Sequence, residues 1–134
     1  MIVIDANVIV YLAVRNDCVE LAEAAYEKDS VWMAPRLWRS ELRQALVKYM
    51  QFSGMSLDAA MLAAQTAEEF VDQRDHKVGS EKVLELAGRS KCTAYDCEYV
   101  ALAMDLGVPL VTTDRQLLRA FPKVAMSLEK FVGK

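Results

Sequence analysis

The hydrophobic positions of the chain fall into short unbroken runs separated by longer stretches with helical spacing. Ile2-Val3-Ile4 is a β-branched run without alternation, which reads as a strand covered on both faces. Val31-Trp32-Met33-Ala34 is a second short strand, closed by Pro35, which cannot donate within a ladder. Leu110-Val111-Thr112-Thr113 and Val124-Ala125-Met126 are two more, and a very short extra strand is expected at His76 to Val78. Between these runs the period becomes helical. Val8 to Val14 predicts a short helix. A second, capped by Asn16 or Asp17, runs to about Lys28 before Ser30 breaks it. A strong helix extends from about Arg36 to Gln51, with Trp38, Leu42, Ala45, Leu46 and Tyr49 as its apolar stripe. Ser56 caps the next helix. Its Leu57, Ala60, Met61, Ala64, Ala67, Phe70 and Val71 read as a core stripe, so the two helices form an αα-hairpin. Ser80 caps a helix to Gly88, and Thr93 opens one that ends at Gly107. Arg115 to Ala120 gives a turn or two, and Leu128 to Lys134 a short tail. Strands alternating with helices predict an α/β sandwich around a mostly parallel sheet.

Acids stand where the apolar runs stop. Asp5 ends the first strand, an ordinary place for a helix cap but also the edge where open α/β sheets bind ligands. Asp114 ends the strand Leu110–Thr113 in the same way, and Thr112, two residues earlier, points to the same side. Glu41 lies on the flank of the apolar stripe of its helix, level with Leu37 and Ala45. On its own it reads as a stem along the core edge with its head in water. Asp96 follows Thr93 by three residues, as in a capping box. Right-handed crossovers place all four around one crevice. Four facing carboxylates repel one another, so the cluster makes sense as a site for hard divalent ions, Mg²⁺ or Mn²⁺. Such a site hydrolyses a phosphodiester.

Composition narrows the class. With 134 residues, 54% of them hydrophobic and 26% charged, residues 1–134 are expected to form one folded domain. No apolar run approaches the ~18–20 residues of a membrane span. No basic segment precedes the first apolar run, as a signal peptide would require, so a cytoplasmic protein is expected. Cys18, Cys92 and Cys97 form no CxxC pair and read as free thiols in a reducing compartment. A single histidine, His76, rules out a His-rich zinc site. The net charge of −3 argues against a protein that simply coats nucleic acid. With the four acids set aside, 15 acidic residues face 16 basic ones, a balance of +1. Arg15, Arg39, Arg43, Arg89, Lys91 and Arg115 are then available to a phosphate backbone or to solvent.

Four segments together carry a family resemblance over essentially the whole chain. These are Asp5-Ala6-Asn7-Val8 after a strand, Ser40-Glu41-Leu42 on a helix, Thr93-Ala94-Tyr95-Asp96 before Tyr99-Val100-Ala101-Leu102-Ala103, and Leu110-Val111-Thr112-Thr113-Asp114-Arg115. In order and spacing they resemble the PIN-domain nucleases, and among these the VapC-type toxins of toxin–antitoxin pairs. The resemblance implies a Rossmann-like three-layer sandwich and a metal-dependent endoribonuclease acting on RNA. It implies Asp5, Glu41, Asp96 and Asp114 as the acids of the site, with Thr112 and Asn7 as polar helpers. It also implies a homodimer silenced by a cognate antitoxin. Glu98, two residues from Asp96 on a helix, points elsewhere.

Three other readings meet specific obstacles. A haloacid-dehalogenase-like phosphatase needs a second Asp two residues after the first, where this chain has Asn7. A response-regulator receiver needs paired acids at the first strand and a late Lys, but Asp5 stands alone and Arg115 follows Asp114. A catalytically silent PIN-like binding module has no need of four intact acids.

Overall fold

The computed structural model describes residues 1–14, 17–74 and 76–133. Four strands, β1 (Ile2–Ile4), β2 (Trp32–Met33), β3 (Leu110–Thr112) and β4 (Ala125–Ser127), form one parallel sheet in the order β2-β1-β3-β4. Among the described residues eight helices flank it: α1 (Ala6–Val14), α2 (Val19–Lys28), α3 (Trp38–Phe52), α4 (Leu57–Phe70), α5 (Ser80–Ser90), α6 (Ala94–Leu106), α7 (Arg115–Ala120) and α8 (Leu128–Val132). The α/β class with a central parallel sheet is as the alternation of runs predicts. Ile2, Val3, Ile4, Leu110 and Val111 are all buried, which explains why these strands are continuously apolar rather than alternating.

The strand order fixes the functional edge. From β1 the chain steps to β2 on one side, then returns past β1 to β3 and β4 on the other. The reversal lies between β1 and β3, which pair directly through Val3 with Leu110 and Ile4 with Val111. A crevice opens at the carboxyl ends of two such strands.

Several elements differ from the expected ones. No strand forms at 76–78. Instead Val71 makes a lone parallel bridge to Trp32, with the Asp72 N–H donating to the Trp32 carbonyl at 2.9 Å. The edge of β2 is thus met by the chain leaving α4, sooner than the polar segment after it could arrive. The C-terminal stretch is not a plain tail: Ser127 Oγ accepts from the Lys130 N–H at 3.1 Å and caps α8. Leu128 and Phe131 of α8 are buried. In α4 the buried face is Ala60, Ala63 and Ala67, while Leu57 and Met61 are exposed. Small side chains let α4 approach α1 closely, and bulkier residues of the same apparent stripe are left outside. Helix α1 starts at Ala6 rather than Val8, because the Asp5 carbonyl already accepts from the Val8 N–H at 3.0 Å. Helix α2 starts at Val19 after Cys18. Asp17 is outside it, and Asn16, the other expected cap, lies outside the described residues. Gly79 rather than Ser80 precedes α5, which runs on past Gly88 to Ser90.

Candidate active site

Asp5 and Asp114 stand at the switch point. The Asp5 N–H donates to the Val111 carbonyl at 3.1 Å, continuing the β1–β3 ladder to its end. Between the two acids lies Thr112, fully buried. Its Oγ accepts from the Asp114 N–H at 3.0 Å. Its own hydroxyl proton is then directed at Asp5 Oδ2, 2.5 Å away. One hydroxyl therefore couples the start of α7 to the acid at the end of β1. Asp114 also caps α7, its Oδ1 accepting from the Gln116 and Leu117 N–H groups at 2.8 and 3.2 Å. Asp5 likewise accepts from the Asn7 N–H. The capping roles are real, and they fix the carboxylates at the edge rather than competing with a site there.

The other two acids come from helices. At the start of α6 the capping box is formed in full. Thr93 Oγ accepts from the Asp96 N–H at 3.1 Å, and the Asp96 carboxylate accepts from Thr93. Glu41, in the first turn of α3, accepts from the Tyr99 hydroxyl at 2.7 Å. Tyr99 stands in the sequence only as part of the apolar segment that follows Asp96, with no role expected of it. The available signal was its spacing: Asp96 and Tyr99 are three apart, hence on one face of α6.

Three of the acids, Asp5, Glu41 and Asp96, feel burial and the charge of a neighbouring acid. Asp5 is raised above the usual carboxylate range chiefly by burial, with the charges of Asp96 and Asp114 adding to it and the Thr112 hydrogen bond opposing. Burial likewise raises Glu41, and the charges of Asp5, Asp96 and Glu98 push the same way. Asp96 is raised by burial, with the charge of Asp114 adding to it. The ion pairs found among the described residues involve other acids: Arg74 and His76 with Asp72, Lys82 with Asp105, Arg89 with Glu85 and the N-terminus with Asp29. Among the described residues no group of three or more His, Cys, Asp or Glu side chains is arranged so that it could hold a metal ion. The donor set nevertheless fits a hard divalent ion, which takes one or two carboxylates and keeps several waters. All the candidate donors are oxygens, and a cation would relieve both their desolvation and their repulsion.

Two clefts meet at Glu41. One, of about 550 Å³, is lined by Asn7, Tyr11, Gln44, Lys48, Tyr49 and Phe52. The other, of about 510 Å³, is lined by Ser40, Gln44, Thr93, Tyr95 and Asp96. Asn7 is exposed on the first turn of α1 and faces the first of these. Glu98 lines a different cleft with Arg36, His76 and Lys77, although its charge still reaches Glu41. Of the basic residues expected to meet a phosphate backbone, Arg43 and Arg115 are exposed, on α3 and at the start of α7. Arg39 is held against the protein, bonded to Gln73 Oε1 at 2.5 Å and stacked 5.0 Å over Trp38. Arg89 is paired with Glu85 and lies 5.5 Å over Phe121. Lys91 is exposed just past α5, and Arg15 lies outside the described residues.

The Thr112 relay gives a first prediction. Thr112→Val keeps the shape but strips a donor from Asp5 and an acceptor from the Asp114 N–H. Stability should fall by about 1–3 kcal/mol, the cost of stranding buried polar groups. Urea denaturation measures it, and Thr112→Ser should recover most of the loss. An unchanged midpoint for Thr112→Val would mean that the hydroxyl links nothing.

Comparison with known proteins identifies the family and the fold. The family model of the PIN domain matches residues 2–123, from β1 through α7 and across all four acids. No curated protein matches the chain. Among solved structures, PAE2754 from Pyrobaculum aerophilum matches with a TM-score of 0.73 and 23% identity. The match covers 97% of this chain and 92% of that one, and at this identity it establishes the fold. Among the described residues no helix is long and apolar enough to cross a membrane.

Proposed function

Since the chain belongs to the PIN-domain family, whose members are typically metal-dependent nucleases, we propose that residues 1–134 act as a single-domain endoribonuclease. In this reading the protein is the toxin of a toxin–antitoxin pair and works through Mg²⁺ or Mn²⁺ at Asp5, Glu41, Asp96 and Asp114. The observation that carries it is the meeting of Asp5, Glu41 and Asp96 near one topological switch point, each raised chiefly by burial and further by a neighbouring acid's charge, with Asp114 contributing charge to Asp5 and Asp96. A structural scaffold has no use for repelling, desolvated carboxylates at its ligand-binding edge.

Each residue then has a task. Asp5, anchored by Thr112, and Asp114, anchored by its own cap, hold fixed oxygens at adjacent strand ends. Asp96 is fixed by its capping box and Glu41 by Tyr99. A divalent ion held there would supply Lewis-acid stabilisation of the phosphoryl charge and an activated water. The clefts on either side of Glu41 offer Lys48 with Tyr49 and the 82% exposed Phe52 on one side, and the 66% exposed Tyr95 on the other. A cation and open aromatic faces suit a single RNA strand crossing the acids. Arg43 and Arg115, both exposed, can add phosphate contacts.

Partner surfaces support the toxin role. A cleft of about 510 Å³ between α1, α2 and α4 is lined by Leu12, Tyr26, Met55, Leu62, Ala63 and Phe70. Together with exposed Phe52, Leu57 and Met61 it leaves the α3–α4 hairpin with uncovered apolar surface. That surface suits an apolar antitoxin segment or a second copy of the chain. Co-expression of toxin and antitoxin should yield a stable complex, and consistent failure to co-purify counts against this part of the reading.

The reaction itself is tested by its products. Attack of water on phosphorus with the 3′-oxygen as leaving group gives a 5′-phosphate and a 3′-hydroxyl, whereas attack by the ribose 2′-hydroxyl, which expels the 5′-oxygen, gives a 2′,3′-cyclic phosphate and a 5′-hydroxyl. Purified protein should cleave RNA only with Mg²⁺ or Mn²⁺, give 5′-phosphate ends and release no phosphate from a small phosphomonoester. Cyclic phosphate on the products, or activity in EDTA, defeats the proposal.

A further inference from the structure

We propose that Tyr99 is the positioning residue that sets Glu41 for metal binding, an inference that rests on the nuclease reading above. The phenol is almost fully buried, and its hydroxyl meets Glu41 Oε1 at 2.7 Å across 58 residues of sequence. The hydroxyl is the donor of this bond and the carboxylate oxygen its acceptor. The other three acids are anchored by the ends of their own elements: the strand end and Thr112 for Asp5, a capping box for Asp96, a helix cap for Asp114. Glu41 sits at the edge of an open cleft on a long, rotatable stem, and Tyr99 supplies its anchor.

The bond commits one carboxylate oxygen and leaves Oε2 to face a ligand. It also removes rotamer freedom before any cation arrives, so that ordering Glu41 costs less on binding. The spacing of Asp96 and Tyr99 gives the arrangement its logic. One face of α6 presents one acid of the site directly and holds a second, from α3, through a hydrogen bond. Partners that orient metal ligands in this way typically change affinity by 10–100-fold when removed.

Isothermal titration with Mn²⁺ and no substrate tests the inference on wild type, Tyr99→Phe, Glu41→Ala and the double variant. Tyr99→Phe keeps the ring in the core and removes only the hydroxyl. It should melt cooperatively in EDTA and bind Mn²⁺ roughly 10–100-fold more weakly. In the Glu41→Ala background the same change should cause no further loss, because Tyr99 acts only through Glu41. Equal affinity of wild type and Tyr99→Phe overturns the inference and leaves the nuclease reading standing. Equal weakening in both backgrounds also overturns it, since Tyr99 would then act through packing. A wild-type protein that binds no Mn²⁺ overturns both.

Discussion

Asp5→Asn should lower metal-dependent RNA cleavage by orders of magnitude while leaving the fold in place. Asn has the same shape, and its amide oxygen can still accept from the Thr112 hydroxyl now donated to Asp5 Oδ2. What disappears is the negative charge at the end of β1, the oxygen that a hard cation would seek. Because burial raises the Asp5 carboxyl above its usual range, the ionised form is a burden on the folded protein at neutral pH. The variant should therefore melt no lower than wild type in EDTA at pH 8. The two readouts separate a lost ligand from a lost structure: turnover at saturating Mn²⁺ collapses, while circular dichroism and melting do not. Wild-type turnover in a pure Asp5→Asn preparation would remove Asp5 from the machinery.

Mn²⁺ should raise the melting temperature of wild type by several degrees, and of Asp96→Asn by less. Asp5, Glu41 and Asp96 all have folded pKa values raised above the unfolded value of about 4, mainly by burial. A group raised in this way binds more protons when folded. Its stabilising contribution is complete below about pH 4 and is lost as pH climbs through the folded value. Asp72 works in the opposite sense, because the bond to Arg74 holds it below the carboxylate range. It is common to both proteins and cancels when they are compared. In EDTA, Asp96→Asn should thus gain on wild type as pH rises from about 4 towards 8. The side-chain oxygen of Asn can still accept from Thr93 at the helix start, losing only the charge–dipole part, roughly 0.3–1 kcal/mol. Mn²⁺ binds the folded site alone and adds about 2.7 kcal/mol at a concentration of 100 Kd, or roughly 8 °C for a chain of this size. Melting curves of both proteins across this pH range, in EDTA and in excess Mn²⁺, check the prediction. Identical melts in all conditions would remove the physical basis for a metal site.

Three of the acids were legible because each ends or begins an element, and element ends are local features. Asp5 and Asp114 terminate apolar runs, and Asp96 sits three residues past Thr93. Glu41 was legible only through its place on the flank of an apolar stripe and the crossover topology, since on its own it looks like any flanking Glu. Nothing in its neighbourhood in sequence reveals Tyr99, because 58 residues of chain separate them. Tyr99 itself fits the apolar pattern of α6 so well that its hydroxyl drew no attention.

By itself the sequence determined the order and kind of most elements, the parallel sheet they imply, and the edge at which two of the acids stand. Hydrophobic period and cap chemistry carry that information because they act over a few residues. Only the tertiary structure decided which face of α4 is buried, that Val71 rather than 76–78 meets β2, and that the end of the chain folds as α8. It alone joined Thr112 to Asp5 and Tyr99 to Glu41. Those choices depend on how closely two packed surfaces approach, which follows from side-chain volume on both partners and is not encoded in the period of either.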